Sequence, residues 1–212
     1  TIYLIRHGQA SFGAESYDQL SPNGELQAKL LGRYFERILK EAPYVVAGSM
    51  QRHQQTAQLA LAECFPEVEI QTDSAWNEFN HQQVFAQYEP RFNHPELMKQ
   101  DVAKEVNPRA YLAKIFEGAI ERWTGGEYHH EYEESWPHFK QRVEDALQNL
   151  CTDLAQKQPR YAVVFTSGGV ISVAAGKILG LTPNKTFALN WAITNSSITT
   201  LRLVGSEPQL LK

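Results

Sequence analysis

The chain has 212 residues, 42% of them hydrophobic, with 20 basic and 24 acidic side chains and a formal net charge of −4. That is the size of one ordinary globular domain, or of one domain carrying an elaborated insertion, large enough to bury about 70% of its unfolded surface without disulfide staples. The charge balance excludes the basic footprint of a general nucleic-acid binder, and no apolar run approaches the roughly 20 residues of a membrane span. Cys64 and Cys151 belong to no CxxC pair and no zinc pattern. The N-terminal segment lacks the basic and long apolar regions of a signal peptide, so a cytoplasmic protein with reduced thiols is expected.

Ile2 to Ile5 reads as a buried strand. Ser21-Pro22 supplies a helix cap with proline at the first helical position, and Leu26, Leu30, Tyr34, Phe35 and Ile38 then fall at helical spacing. Tyr44 to Ala47 is a second strand. Ser49 is the expected cap of a helix from Gln51 to Ala62, with Leu59 as an apolar anchor, and Val68 to Ile70 is a third strand. Alternating strands and helices argue for a parallel sheet with crossover helices. Residues 80–134 break the rhythm with many aromatics, Pro90, Pro95, Pro108 and Gly125-Gly126, and read as a helical and loop insertion over one edge of a single domain. Ser135 then caps a helix whose stripe is Phe139, Val143, Leu147, Leu150 and Leu154. Tyr161 to Phe165 is a strand, Gly168-Gly169 opens an apolar helix reaching Gly180, and Ser197 to Leu203 is the closing strand.

In such a sheet, ligands collect beyond the carboxyl ends of the strands, near helix N-termini. Three places qualify: Arg6-His7-Gly8, Ser49 to Arg52, and Thr166-Ser167-Gly168-Gly169. Arg52 falls in the first turn of its helix, where the macrodipole disfavours a cation unless an anion joins it. Gly168-Gly169 is an anion-binding turn with backbone N–H groups aimed outward. Neither a Walker A loop nor a Gly-x-Ser-x-Gly elbow is present, since Gly169 and Gly176-Lys177 are wrongly spaced and Phe165 stands where the elbow needs glycine. His7 follows an arginine at a strand end, with Gly8 behind it to let a ligand approach. A neutral imidazole can attack phosphorus while guanidinium groups hold the phosphate oxygens. Arginines then supply the charge, and no metal or other cofactor is required.

Arg6-His7-Gly8, Leu20-Ser21-x-x-Gly24-x-x-Gln27-Ala28, Arg52-x-x-Gln55-Thr56-Ala57, Gly168-Gly169-Val170 and Asn195-Ser196-Ser197-Ile198 occur in one order. Together they resemble the histidine phosphatase superfamily, also called phosphoglycerate mutase-like, over the whole chain apart from the middle insertion. The resemblance implies a three-layer α/β/α sandwich with a mostly parallel sheet and a cap insertion. It implies His7 as the nucleophile that forms a phosphohistidine intermediate, and Arg6 and Arg52 as phosphate-binding arginines. Glu78, in Trp76-Asn77-Glu78-Phe79, matches the acid that protonates the leaving oxygen. The family's second histidine, immediately before the Gly-Gly, is replaced by Ser167, which joins Gly168 in the phosphate-binding turn. Either the site is weakened or another residue substitutes, with His81 and His53 as candidates that spacing does not separate. The loop Ser11-Phe12-Gly13 also lacks the asparagine of the mutase branch, and the Arg-His-Tyr-Gly that follows the mutase glutamate is absent after Glu78.

The expected function is a metal-independent phosphatase acting on a small phosphorylated substrate or a phosphoprotein, with no nucleic-acid or membrane partner; oligomeric state is not readable. The alternative is a phospho-ligand binding or regulatory protein whose turnover is weak or lost through Ser167. A metal site in Glu127 to Glu134 is the third idea, opposed by the solvated acidic segment that such a run ordinarily forms. Phe79, Phe85, Tyr88, Phe92, Tyr111, Phe116 and Trp123 are candidates for an apolar rim.

Overall fold

The computed structural model describes residues 1–11 and 18–212; Phe12 and Gly13 lie outside the described residues. Six strands form one sheet: β1 (Ile2–Arg6), β2 (Tyr44–Ala47), β3 (Ile70–Thr72), β4 (Ala162–Thr166), β5 (Ile198–Val204) and β6 (Glu207–Leu210), in the order β3-β2-β4-β1-β5-β6. The first four run parallel, while β5 lies antiparallel to β1 and β6 antiparallel to β5. The described helices are α1 (Pro22–Ile38), α2 (Gln51–Ala62), α3 (His81–Tyr88), α4 (Pro95–Lys104), α5 (Pro108–Thr124), α6 (Trp136–Lys157), α7 (Gly168–Leu179) and α8 (Pro183–Asn190).

Strand alternation sorts the sheet into two buried faces. Ile5, Val45, Ala47, Val163 and Phe165 share one face with Leu31 and Phe35 of α1 and Ala57, Ala60 and Leu61 of α2. Leu4, Val46, Ala162 and Val164 point to the other face and are equally buried, and α7 packs against β1 and β6. The result is the three-layer α/β/α arrangement. Among the described residues no helix is long and apolar enough to cross a membrane.

Several local expectations are corrected. Leu26, Leu30 and Tyr34 of α1 are exposed; the helix buries Gly24, Ala28, Leu31, Gly32 and Phe35 instead. Its small residues let it approach α2 closely, and a Cβ on Gly32 would collide with the backbone of Ala60. On α2, Leu59 is only half-buried, and the core-facing residues are Ala57, Ala60 and Leu61. The third strand starts at Ile70, because the Val68 N–H is used in a turn to the Phe65 carbonyl (3.1 Å). Two elements escaped the sequence reading. α8 is announced by Thr182-Pro183 in the manner of Ser21-Pro22. β6 carries Pro208 and occurs at the sheet edge, where a strand tolerates a missing donor.

Two compact units divide the chain, one of residues Thr1–Glu78 with Arg142–Lys212 and one of Phe79–Gln141. The second unit reaches past residue 134 because Trp136 and Phe139 belong to its aromatic core. Trp123 stacks on Phe79 (4.7 Å between centroids) and meets Trp136 and Phe139 at 5.6 Å each. Phe79 and Trp123 are thus core residues rather than rim, and Phe85 packs against Phe92 and Phe116. In the acidic run, Glu131 pairs with Arg122, whose guanidinium lies 4.0 Å from the Tyr128 ring centre. No metal-holding group of three or more His, Cys, Asp or Glu side chains occurs among the described residues.

Candidate active site

The parallel strands β1, β2 and β4 end at the same edge of the sheet, which gathers Arg6-His7, Gly48-Ser49 and Thr166-Ser167. Backbone ladders continue past the strand ends: His7 N–H to Thr166 O (2.9 Å), Gly48 N–H to Phe165 O (3.0 Å) and Asp73 N–H to Ala47 O (2.9 Å). From the antiparallel side, the Ser196 N–H donates to Arg6 O (2.9 Å) and Asn195 Nδ2 donates to His7 O (3.1 Å). Ser196 holds a left-handed conformation (φ 56°) to make this turn.

His7 is buried, and its ring is oriented at both nitrogens. Nδ1–H donates to the Gly8 carbonyl (2.7 Å), and Nε2 accepts from Arg52 Nε (3.2 Å). Burial, with the Arg52 and Arg6 charges adding to it, lowers its pKa to about 3. The imidazole is therefore neutral near pH 7, with its Nε2 lone pair directed at a guanidinium. Arg6 donates to the Ile193 carbonyl, and its Nε is near Gly168, where a Cβ would sit 3.5 Å from it. Arg52 is also buried and is gripped by Asp18 (Nη1 to Oδ1, 2.7 Å).

The shared motif residues now have physical tasks. Thr56 Oγ1 accepts from the Gly8 N–H (3.0 Å) and donates to the Arg52 carbonyl (2.7 Å). Gln55 accepts from the Leu20 N–H (2.8 Å), and Gln27 from the Gln9 N–H (2.9 Å). Ser21 caps α1 by accepting from the Gly24 N–H (3.1 Å). At Gly8 the backbone of Gly24 lies so close that a Cβ would collide with it.

Ser49 does not cap α2; its hydroxyl and N–H both bind the Asn77 amide (2.7 and 2.8 Å), and the Gln51 N–H is taken by Asp18 Oδ2 (2.8 Å). Asn77 belongs to the loop that carries Glu78. Arg142 Nη1 donates to the carbonyls of Ala75 and Asn77 (2.9 Å each), and Thr166 Oγ1 donates to the Trp76 carbonyl (2.5 Å). So held, Glu78 accepts from the Gly169 N–H at 3.0 Å, at the N-terminus of α7.

Ser167 precedes α7 without capping it. Its hydroxyl instead meets His53 Nε2 at 2.6 Å, and the two rings His7 and His53 lie 5.7 Å apart. Both Ser167 and His53 have 0% exposure, and burial, reinforced by the neighbouring His7 and the Arg52 guanidinium, pushes the His53 pKa well below its ordinary value. The structure thus brings His7, Arg6, Arg52, Ser167, Gly168 and Glu78 into one unit, with His53 beside them. His81 stands in the other unit at the start of α3, edge-on to Phe85. Asp18 and Asn77 were missed in the sequence, since each acts on residues more than 25 positions away with no local pattern to mark it.

A family model described as the histidine phosphatase superfamily (branch 1) matches residues 2–212. A search of curated proteins finds no match. Among solved structures, the chain is similar to a phosphoglycerate mutase from Bacillus anthracis (15% identity, TM-score 0.68, covering 99% of this chain and 90% of that one). It is similar also to a phosphoserine phosphatase from Entamoeba histolytica solved with phosphoserine (17%, TM-score 0.63, 100% and 94%). A third is an alpha-ribazole phosphatase from Shigella flexneri (18%, TM-score 0.63, 99% and 94%). These structures share the fold, and the family match running almost the whole length places the chain in the histidine phosphatase superfamily, branch 1.

Proposed function

We propose that the protein is a metal-independent phosphatase that hydrolyses a phosphomonoester or a phosphorylated residue through His7. The observation that carries this reading is the state of His7: neutral, held through Nδ1 by the Gly8 carbonyl, and presenting Nε2 to a buried arginine. An arriving phosphoryl group replaces His7 as the partner of Arg52, and Arg6 holds its oxygens from the other side together with the Gly168 turn. Nε2 attacks phosphorus, the P–O bond to the leaving group breaks, and Glu78 in its acid form gives that oxygen its proton. Glu78 then takes a proton from water, whose oxygen attacks phosphorus. The P–N bond breaks, and inorganic phosphate leaves with His7 neutral again. Neighbours of the same fold include a phosphatase solved with phosphoserine, which favours a small phosphorylated substrate. Cytoplasmic operation is part of the proposal.

The test is intact-mass analysis after incubation with aryl phosphates, phosphosugars, phosphoserine and phosphohistidine peptides. An acid-labile phosphoryl adduct that disappears in His7→Ala, with turnover lost in parallel, is expected. No adduct and no turnover with any donor would overturn it. The second reading, a phospho-ligand binding protein with weak or lost turnover, rests on Ser167 standing where the family resemblance places a second histidine. Phosphate binding by calorimetry without adduct or turnover is its signature.

A further inference from the structure

We propose that His53 and Ser167 form a donor relay: His53 Nε2–H donates to the Ser167 oxygen, and the Ser167 hydroxyl donates a hydrogen bond to a phosphoryl oxygen at His7. Ser167 is then a catalytic residue and His53 a positioning residue; the relay rests on the phosphatase reading above.

A count of protons leads to it. A neutral histidine carries one N–H and a serine one O–H, so the pair holds two donors. One hydrogen bond, His53 Nε2 to Ser167 Oγ at 2.6 Å, joins them. Neither side chain has another hydrogen-bond partner among the described residues, and neither is exposed to solvent. One proton is therefore left without an acceptor, an arrangement that is costly in a buried site.

Geometry decides which proton it is. If Ser167 donated to His53, the spare proton would be Nδ1–H. That nitrogen is pressed against Gly48, where even a Cβ would collide with it, and it makes no hydrogen bond there. The nearby Asn77 Oδ1 accepts from the Ser49 N–H (2.8 Å) and makes no hydrogen bond with His53 Nδ1. If His53 donates, Nδ1 keeps only a bare lone pair, the cheaper of the two omissions. The spare proton then belongs to Ser167, at the strand end beside His7 and one residue before the Gly168 turn. A phosphoryl oxygen reaching His7 accepts it. The relay so places a neutral donor where the family resemblance led us to expect a second histidine, with the imidazole supplied from α2 instead of from β4. Burial keeps water from competing for the proton before the anion arrives.

The experiment combines ring spectroscopy with variants. In ¹H–¹⁵N spectra of the wild type with ¹⁵N-labelled histidine, His53 should be neutral with the proton on Nε2. A proton on Nδ1, or an imidazolium, overturns the relay, and this result needs no variant to fold. Ser167→Ala should lower kcat and vanadate affinity by about 10²-fold or more while KM shifts little, because the lost donor serves the transition state. His53→Leu should reproduce that loss, His53→Gln should restore at least about tenfold through its amide donor, and the double variant should be no worse than Ser167→Ala. Unchanged vanadate affinity in Ser167→Ala, or a His53→Gln as impaired as His53→Leu, refutes it. A wild type without turnover defeats the phosphatase reading, while the tautomer and the vanadate affinities still decide the relay.

Discussion

Asp18 uses its two oxygens for two different purposes, one on the Arg52 guanidinium and one on the first N–H of α2. The second is a helix cap supplied from a distant loop, since Met50 at the cap position offers no side-chain acceptor. Asp18→Ala should therefore lower the unfolding free energy by about 1–2 kcal/mol, while Asp18→Asn, which keeps an acceptor, recovers most of it. Denaturant titration of the two variants checks this. The same residue shows why part of the site was illegible beforehand. Arg6-His7-Gly8 announces itself because three chemically loaded residues follow a strand without a break. Asp18 and His53 act through partners 34 and 114 positions away, and no spacing rule connects such pairs.

At the level of elements, α1 separates apolar periodicity from packing. Leu26, Leu30 and Tyr34 recur at helical spacing yet face outward, because Gly24, Ala28 and Gly32 make the side that can come close to its neighbour. Hydrophobic size marked one stripe, and the ability to approach selected the other. Leu31→Ala should cost about 2–4 kcal/mol, whereas Leu30→Gln should stay within about 0.5 kcal/mol of the wild type. Thermal melts of both distinguish the two faces. The strands were read more easily, since each buried one is a short unbroken apolar run. Their direction and order were not, because β5 lies antiparallel to β1 on one side of the sheet, and nothing in Ile198–Val204 states which neighbour it will take.

The whole molecule carries a net charge of −4, yet it keeps two histidines neutral beneath two arginines. Unfolding frees both rings to regain a pKa near 6.5. Between that value and the lowered folded values, the unfolded chain binds more protons, so stability rises with pH and is lost as pH falls through this window. His7 should contribute about 2 kcal/mol of destabilisation on going from pH 7.5 to pH 5, and His53 acts in the same direction. Melting temperatures across this range should fall on acidification, and His53→Gln should flatten the slope. Lastly, β1 lies between β4 and β5, and Ile2 pairs with Ala162 on one side and Leu201 on the other. The segment bearing His7 thus has no short-range partners in its sheet and must wait for distant stretches of chain to arrive. Helices can form early, but His7 acquires its orientation only when the distant strands β4 and β5 close around it.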